Sequence, residues 1–403
     1  MSHRGLLKGV RVVDFSWLMA GPSGTLLLAL AGADVIRIES TRSPDNYRKS
    51  FSKDGNPDCS PLFATVNMAK RSVLIDLKHP AGLSVAEGLV EKADLVVENF
   101  TPGTLDKLGL GYTRISERNP RIVMVSASAA GQSGPKSHFA GYAPHFASLA
   151  GLAFLTGHPD GPPTRFSRSL DARVGTYIAL AALAGLLSVR QTGQGMYLDV
   201  SDQEVVASLI GDVLADAAAT GREFVRNGNV EDGRAGAGCY PCKGMDQWIA
   251  IEQDNATEWQ ALCRAIGRPD LLADPSLASQ EGRWAHRQQI EAAIGEWSRR
   301  LEKPDAVRLL QEAGVKATVV ASGFDLFTDD DLHARGMWQP IEHKALGKMW
   351  VVDSPVTRSP RNGGGEGVAP APLLGEHTDE VLREVLSLSE EKIKALRVEG
   401  ALR

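Results

Sequence analysis

Over residues 1–150, short apolar runs alternate with stretches of helical periodicity. VRVVDF (10–15), DVIRIE (34–39), SVLIDL (72–77), DLVVEN (94–99) and RIVMVSA (121–127) read as strands. Between them AGPSGTLLLALAG (20–32), PAGLSVAEGLVEKA (80–93) and PGTLDKLGL (102–110) read as helices. Strands that are apolar without strict alternation, each followed by a helix, predict a parallel sheet covered on both faces. The predicted fold class is therefore α/β, with a doubly wound, Rossmann-like large domain. Val174 to Val189, rich in Ala and Gly, reads as a buried core helix. No uninterrupted apolar run reaches the ~18–20 residues of a membrane span.

The pattern loosens in two places. Residues 41–61 are polar and full of turn formers, which predicts a surface excursion. Residues 226–238 (RNGNVEDGRAGAG) are glycine-rich and read as a mobile loop. Beyond it, QWIAIEQ reads as a strand and ATEWQALCRAIG as a helix, and the chain stays helix-rich and carries several Trp through residue 320. That restart predicts a second, smaller α+β domain. SPRNGGGEGVAPAP (359–372) reads as a linker, followed by two helices in HTDEVLREVLSLSEEKIKALRVEG, with Thr378 or Ser387 as caps.

Composition narrows the function. A chain of 403 residues is long enough for two domains, and its net charge of −5 gives no basic excess of the kind that nucleic acid or an anionic membrane would call for. An anionic ligand would need local basic groups. The N-terminal stretch MSHRGLLKGVRVVDF shows no signal-peptide pattern, so a cytoplasmic location is expected. Among the four cysteines, Cys239 and Cys242 form a CYPC pair, but no second CxxC or HxxxH completes a metal site, and Cys263 alone does not. No metal is expected. The first strand leads into SWLMAGPSG rather than GxGxxG, which removes the main support for a bound dinucleotide. The Ala20-Gly21-Pro22 turn still opens a helix at the carboxyl edge of the sheet, where α/β proteins bind ligands.

Three basic clusters stand out: Lys70, Arg71 and Lys78; Lys107 beside ENFTPG; and Arg165, Arg168 and Arg173 around Asp171. His145 is the histidine nearest the expected site, and no GxSxG elbow or P-loop is present. Asp171, at the head of the apolar helix, has two readings. It is either an N-cap or an ionised carboxylate able to attack an acyl group, and its arginine neighbours would hold its pKa down.

Several blocks in order resemble a known family: GVRVVDFSWLMAGPSGTLLLALAGADVIRIES, NMAKRSVLIDLKHPAG, ADLVVENFTPGTLDKLGLGY, NPRIVMVSASAAGQSGP, RSLDARVGTYIALAALAGLLSVRQTGQGMYLDVSDQEV, GCYPCKG and LLGEHTDEVLREVLSLS. Together they span nearly the whole chain and resemble the family III CoA-transferases, the superfamily of formyl-CoA transferase, carnitine CoA-transferase and α-methylacyl-CoA racemase. The resemblance implies a large domain built from both chain ends, so that residues 1–200 form its first part, 201–225 a linker helix, 226–325 the small domain and 326–403 its completion. It also implies two copies threaded through each other, either identical or as a heteromer with a related subunit. Coenzyme A thioesters are then substrates rather than a resident cofactor.

The same resemblance makes Asp171, with Gly175 after it, the nucleophile, and makes Gly236 and Gly238 part of a flap over the reacting acyl group. Tyr142 stands where the racemases carry a base histidine, which favours transfer over racemisation; His145, three positions on, is the candidate substitute. Ile38, Lys70, Arg71, Asn99 and Lys107 are the expected CoA contacts, although Thr101 and Ser40 replace basic residues common in the family. Met19 replaces the glutamine of formyl-CoA transferase and, with Trp17, implies a bulky, apolar acyl group. Arg165 and Arg168 are expected to clamp a second carboxylate. The reading that results is an acyl-CoA:carboxylate CoA-transferase, with succinyl-CoA as donor and a dicarboxylate such as benzylsuccinate as acceptor. The alternatives are a 2-methylacyl-CoA epimerase and a non-catalytic subunit.

Overall fold

The computed structural model describes residues 5–167, 169–231, 233–356 and 368–403. The chain divides into two compact units, one of residues 1–153, 165–223 and 331–403, the other of 154–164 and 224–330.

The first unit is built on a six-stranded parallel sheet. Its strands are β1 (Arg11–Asp14), β2 (Asp34–Glu39), β3 (Arg71–Leu74), β4 (Leu95–Glu98), β5 (Val123–Ser128) and β6 (Met196–Ser201), in the order β3-β2-β1-β4-β5-β6. The order reverses between β1 and β4, the switch point at whose carboxyl ends open α/β sheets bind ligands. Helices Ala20–Leu30, Ala143–Leu149 and Ser169–Thr192 cover one face around Val12, Leu95, Val125, Val174 and Ile178. Helix Pro80–Glu91 and the C-terminal helices Thr378–Leu386 and Glu390–Val398 cover the other, around Val13, Ile36, Leu89, Val381 and Leu396. The C-terminal segment is tied back to the sheet edge: the Leu74 amide donates to Thr378 Oγ1 at 3.0 Å, and the Asp76 amide to the Ala401 carbonyl at 2.9 Å. A hairpin of β7 (Trp338–His343) and β8 (Gly347–Val352) adds to this unit.

The apolar helix runs Ser169–Thr192, longer than its apolar run. Among the described residues it alone is long and apolar enough to cross a membrane, and one of its faces is buried in the core. It lies against the Ala20–Leu30 helix almost backbone to backbone. A Cβ on Gly175 would stand 2.9 Å from the Ala20 carbonyl oxygen and 2.7 Å from Ser23 Cβ, and one on Gly24 would stand 2.9 Å from the Gly175 carbonyl. Only glycine fits this crossing without displacing backbone.

The polar 41–61 stretch is not a plain loop. It forms two short helices, Asn46–Ser50 and the first part of Pro61–Val66, because its charges answer charges buried in β2. Arg37 and Arg48 are both fully buried. Arg37 pairs with Asp45 at 2.5 Å; Arg48 bridges Glu39 at 2.8 Å and Asp58 at 2.9 Å and lies 3.5 Å above the Phe63 ring. Buried charges persist only when paired, so this network fixes the excursion to the sheet. Two expected caps also move. Thr378 Oγ1 bonds the Gly375 carbonyl, Ser387 is a left-handed residue closing its helix, and Ser389 caps the last helix through the Lys392 amide.

The second unit holds an antiparallel sheet of Gly238–Pro241, Trp248–Glu252 and Lys316–Val319, in that order, packed by helices Ala256–Ala265, Arg287–Ser298 and Lys303–Glu312. Its core is centred on Ile249, Ile251, Trp259, Leu262, Ile290 and Leu310. Cys239, Tyr240 and Pro241 of the CYPC motif lie in the first of these strands and Cys242 just beyond it, and all four cysteines are free thiols. Residues 154–164, placed by the sequence division in the large domain, belong here, because the Gly228 amide bonds the Gly157 carbonyl at 3.0 Å.

Candidate active site

The switch point is shaped by the turns after β1 and β4. Asn99 accepts from the Trp17 amide at 2.7 Å and donates to the Trp17 carbonyl at 2.9 Å, so the two turns are zipped together. A Cβ on Gly21 would lie 2.2 Å from Ser16 Cβ, which explains the glycine that opens the first helix. Asn99, an expected CoA contact, also braces the Trp17 backbone. A cavity of about 400 Å³ lies beside this brace, at the carboxyl ends of β1, β2 and β4. Trp17, Ile38, Arg42, Lys78 and Phe100 are among the residues lining it. Trp17, expected beside the acyl group, lies here against Phe100, edge to face with 5.9 Å between ring centres. The cavity offers flat apolar walls, the Lys78 ammonium, and the Arg42 guanidinium paired with Asp76 at 3.0 Å, with Glu39 also in the lining. Arg42 is a cavity residue that the sequence pattern does not reveal: it sits in the polar excursion and reaches the cavity because that excursion folds back on β2.

Two expected phosphate contacts are corrected. Lys70 is buried, its Nζ donating to Pro22 O and Asn67 Oδ1 at 2.9 Å and to Asp14 Oδ2 at 3.2 Å. Burial lowers its pKa to about 8 despite the Asp14 carboxylate. No phosphate can reach this ammonium. Arg71 opens β3, at the opposite end of the sheet, where it bonds Asp34 at 2.7 Å, Glu380 at 3.2 Å and Glu384 at 2.8 Å. Both are structural ties. Lys107 is exposed on the Thr104–Lys107 turn that follows β4.

Asp171 lies in the first turn of the long helix, one turn before Gly175 and the glycine crossing. It is half-buried, and burial pushes its pKa up to about 7. This reverses the expectation of a carboxylate held down by arginines. Arg173 turns its guanidinium over the Tyr177 ring on its own helix, 5.3 Å from the centre, and Arg165 is exposed. Arg168 lies outside the described residues. A carboxylate that binds its proton more tightly is also the stronger nucleophile once ionised.

Tyr142 precedes helix Ala143–Leu149 and is 61% exposed. Its amide donates to His145 Nδ1 at 3.1 Å, so the imidazole caps the helix. His145, exposed and engaged through Nδ1, is placed as a cap rather than as an inward-facing base. Met19 ends the turn before the first helix and packs among Tyr47, Phe63 and Ala371. Gly236 and Gly238 belong to the second unit; both have positive φ, +85° and +141°, which a side chain would strain. Among the described residues no group of three His, Cys, Asp or Glu could hold a metal ion.

Known proteins share this architecture and sequence. The model of CoA-transferase family III matches residues 7–378. The chain is 30% identical to succinyl-CoA--D-citramalate CoA-transferase of Chloroflexus aurantiacus over 98% of each chain. It is 32% identical to formyl-CoA:oxalate CoA-transferase of Escherichia coli O157:H7, over 98% of this chain and 99% of the other. Its fold is similar to that of a CAIB/BAIF family protein from Brucella suis, with TM-score 0.84 and 27% identity over 94% of this chain and 99% of that one. Rv3272 from Mycobacterium tuberculosis is similar at TM-score 0.78 and 26% identity, over 93% and 98%. A match that runs through both units, with no long stretch left over, identifies the chain as a member of CoA-transferase family III, an enzyme whose substrates are CoA thioesters.

Proposed function

We infer that the protein transfers coenzyme A from succinyl-CoA to a dicarboxylate through an aspartyl-CoA thioester on Asp171. The observation that carries this is the placement of Asp171: half-buried, with its pKa raised to about 7, on the helix that the Gly24–Gly175 crossing locks against the first helix. An Asp171 oxygen attacks the thioester carbonyl, the C–S bond breaks, and the electron pair leaves on the CoA sulfur as thiolate. The thiolate then attacks the aspartyl carbonyl of the anhydride, which expels the donor acid carrying one aspartyl oxygen and leaves the CoA thioester on the enzyme. The acceptor carboxylate runs the two steps in reverse. No proton changes hands overall, and exclusion of water preserves the thioester.

The CoA adenine and phosphates are assigned to the cavity of Trp17, Ile38 and Phe100, with Arg42, Lys78 and the nearby Lys107 as cations. Gly236 and Gly238 serve as the flap and Tyr142 orients the acyl oxygen. Arg165 and Arg168 read the distal carboxylate of the acceptor, an assignment consistent with the relative named for succinyl-CoA and D-citramalate. Met19 favours a larger, less polar acceptor, such as benzylsuccinate. The threaded pair of copies would cover Leu180, Leu183 and Leu187, exposed on the long helix of the single chain. The cap bond at His145 Nδ1 disfavours the epimerase reading, since that imidazole is already committed.

The test is CoA transfer from succinyl-CoA to benzylsuccinate, D-citramalate and oxalate, followed by chromatography of the CoA esters, for the wild type and Asp171→Asn. Turnover with the larger dicarboxylates that is lost in the variant supports the reading. Full activity of Asp171→Ala, or deuterium uptake at the α-carbon of 2-methylacyl-CoA with no transfer, overturns it.

A further inference from the structure

Asp202 is the first residue of helix Asp202–Ala207, directly after β6, and is 8% exposed. Its Oδ1 is sealed from solvent with no hydrogen-bond partner among the described residues. Capping does not explain it, because Ser201 Oγ already accepts from the Glu204 amide. Its short helix packs against both the long helix that carries Asp171 and helix Ala143–Leu149, which Tyr142 precedes. A buried carboxyl oxygen without a donor is costly unless the group is neutral or awaits a partner.

The charges around it leave one candidate partner. On the long helix, against which its own helix packs, the carboxyl that acts on it is Asp171, whose repulsion adds to burial in pushing the Asp202 pKa up to about 7. On helix Ala143–Leu149 the titratable group is His145, exposed and engaged with the Tyr142 amide. On β6, Asp199 accepts from the Gln132 amide at 2.9 Å. On its own helix Glu204 is exposed. Among the described residues no cation offsets the Asp171–Asp202 repulsion.

We propose that Asp202 is a positioning residue for the transfer reaction, forming with Asp171 a carboxyl pair that holds one shared proton throughout the cycle. This rests on Asp171 being the nucleophile. Two like charges in one desolvated site do not both ionise at neutral pH. The proton stays on Asp202, whose carboxyl donates toward the reacting carboxyl group, while Asp171 supplies the electron pair for the new C–O bond. When Asp171 becomes anhydride or thioester, its charge is gone and the Asp202 proton still has an acyl oxygen to meet. No step adds or removes a proton.

The test is the pH dependence of kcat/KM in wild type, Asp202→Asn and Asp202→Ala, with borohydride trapping of the thioester at Asp171 in each. A shared proton gives the wild type both an acid limb, where the pair gains a second proton, and an alkaline limb, where it loses the first. Asp202→Asn has no proton to lose, so its alkaline limb disappears, and its acid limb stays or moves to higher pH, because Asp202 is already neutral there and an amide is the weaker donor to the Asp171 carboxylate. Asp202→Ala also lacks the alkaline limb and loses about tenfold more kcat than the Asn variant, whose amide still donates. KM for the acyl-CoA stays within about twofold in both, because Asp202 holds its neighbour rather than the substrate. Trapping at Asp171 with both limbs intact in Asp202→Asn overturns the proposal and leaves the nucleophile standing. Absence of trapping in the active wild type overturns the nucleophile itself.

Discussion

Glu98 closes β4 with only 5% of its surface exposed, and burial pushes its pKa from the ordinary 4.5 up to about 7, with Asp106 and Asp199 adding to the rise. The Phe100 amide, which donates to Glu98 Oε2 at 2.8 Å, opposes the shift without cancelling it. The folded state therefore holds the Glu98 proton more tightly than the unfolded chain does. Below pH 4.5 both states are protonated and the group costs nothing. As pH rises toward 7 the unfolded state gains by ionising first, and the native state loses stability; above 7 the loss is complete. At about 1.4 kcal/mol per pH unit, the loss comes to about 3 kcal/mol. Glu98→Gln keeps the shape and the acceptor for Phe100 but cannot ionise. It should raise unfolding free energy by about 3 kcal/mol at pH 8 and leave it unchanged near pH 4. Urea titrations followed by tryptophan fluorescence, at matched protein concentration and several pH values, read the difference. A Gln variant whose stability differs from wild type by the same amount at pH 4 and at pH 8 would refute the argument, because an effect of the Glu98 charge has to grow across that range.

Gly175→Ala should destabilise the chain by about 1–3 kcal/mol and slow transfer, since the new Cβ meets backbone at 2.9 Å; Gly211→Ala, with open space at its Cβ, should do neither. Thermal unfolding and steady-state rates of the two variants make the comparison. Arg42→Ala and Lys78→Ala should each raise KM for acyl-CoA about fivefold at little cost in kcat, whereas Arg71→Ala should lower the melting temperature with KM unchanged. Lys70→Met strands the buried Asp14 carboxylate without one of its cations and should cost about 3–5 kcal/mol in a denaturant titration.

The central strands were legible because they are buried on both faces: Val35, Ile36 and Ile38 in DVIRIE and the unbroken LVV of DLVVEN carry the apolar signal, and the structure buries nearly all of both strands. β6 was missed because it is an edge strand whose first four residues are only partly covered, so MYLDVS carries no continuous apolar run. The small unit was visible from the glycine-rich break before it, but the third strand of its sheet, KATV, is too short and too exposed to show. Charge was the least legible feature. Arg37 and Glu39 look like the solvent side of an alternating strand, yet both are buried, and the partners Asp45 and Arg48 come from a stretch with no apolar pattern. Lys70 and Arg71 read as basic surface for the same reason: a sequence shows a cation but not the carboxylates waiting for it. Asp171 was found through the family pattern and not through its surroundings, which turned out the reverse of those expected. Asp202 was hidden in SDQE, where Ser201 and Glu204 already read as the start of a helix and make an aspartate between them unremarked.

The central claim is that Asp171 carries the transferred group. Incubation with succinyl-CoA followed by borohydride reduces an aspartyl-CoA thioester to an alcohol and converts residue 171 to homoserine, a change that peptide mass spectrometry reads directly. That change is expected at residue 171, dependent on succinyl-CoA and prevented by prior addition of the acceptor acid. Robust turnover with residue 171 unmodified, and the reduced side chain found elsewhere or nowhere, would contradict it.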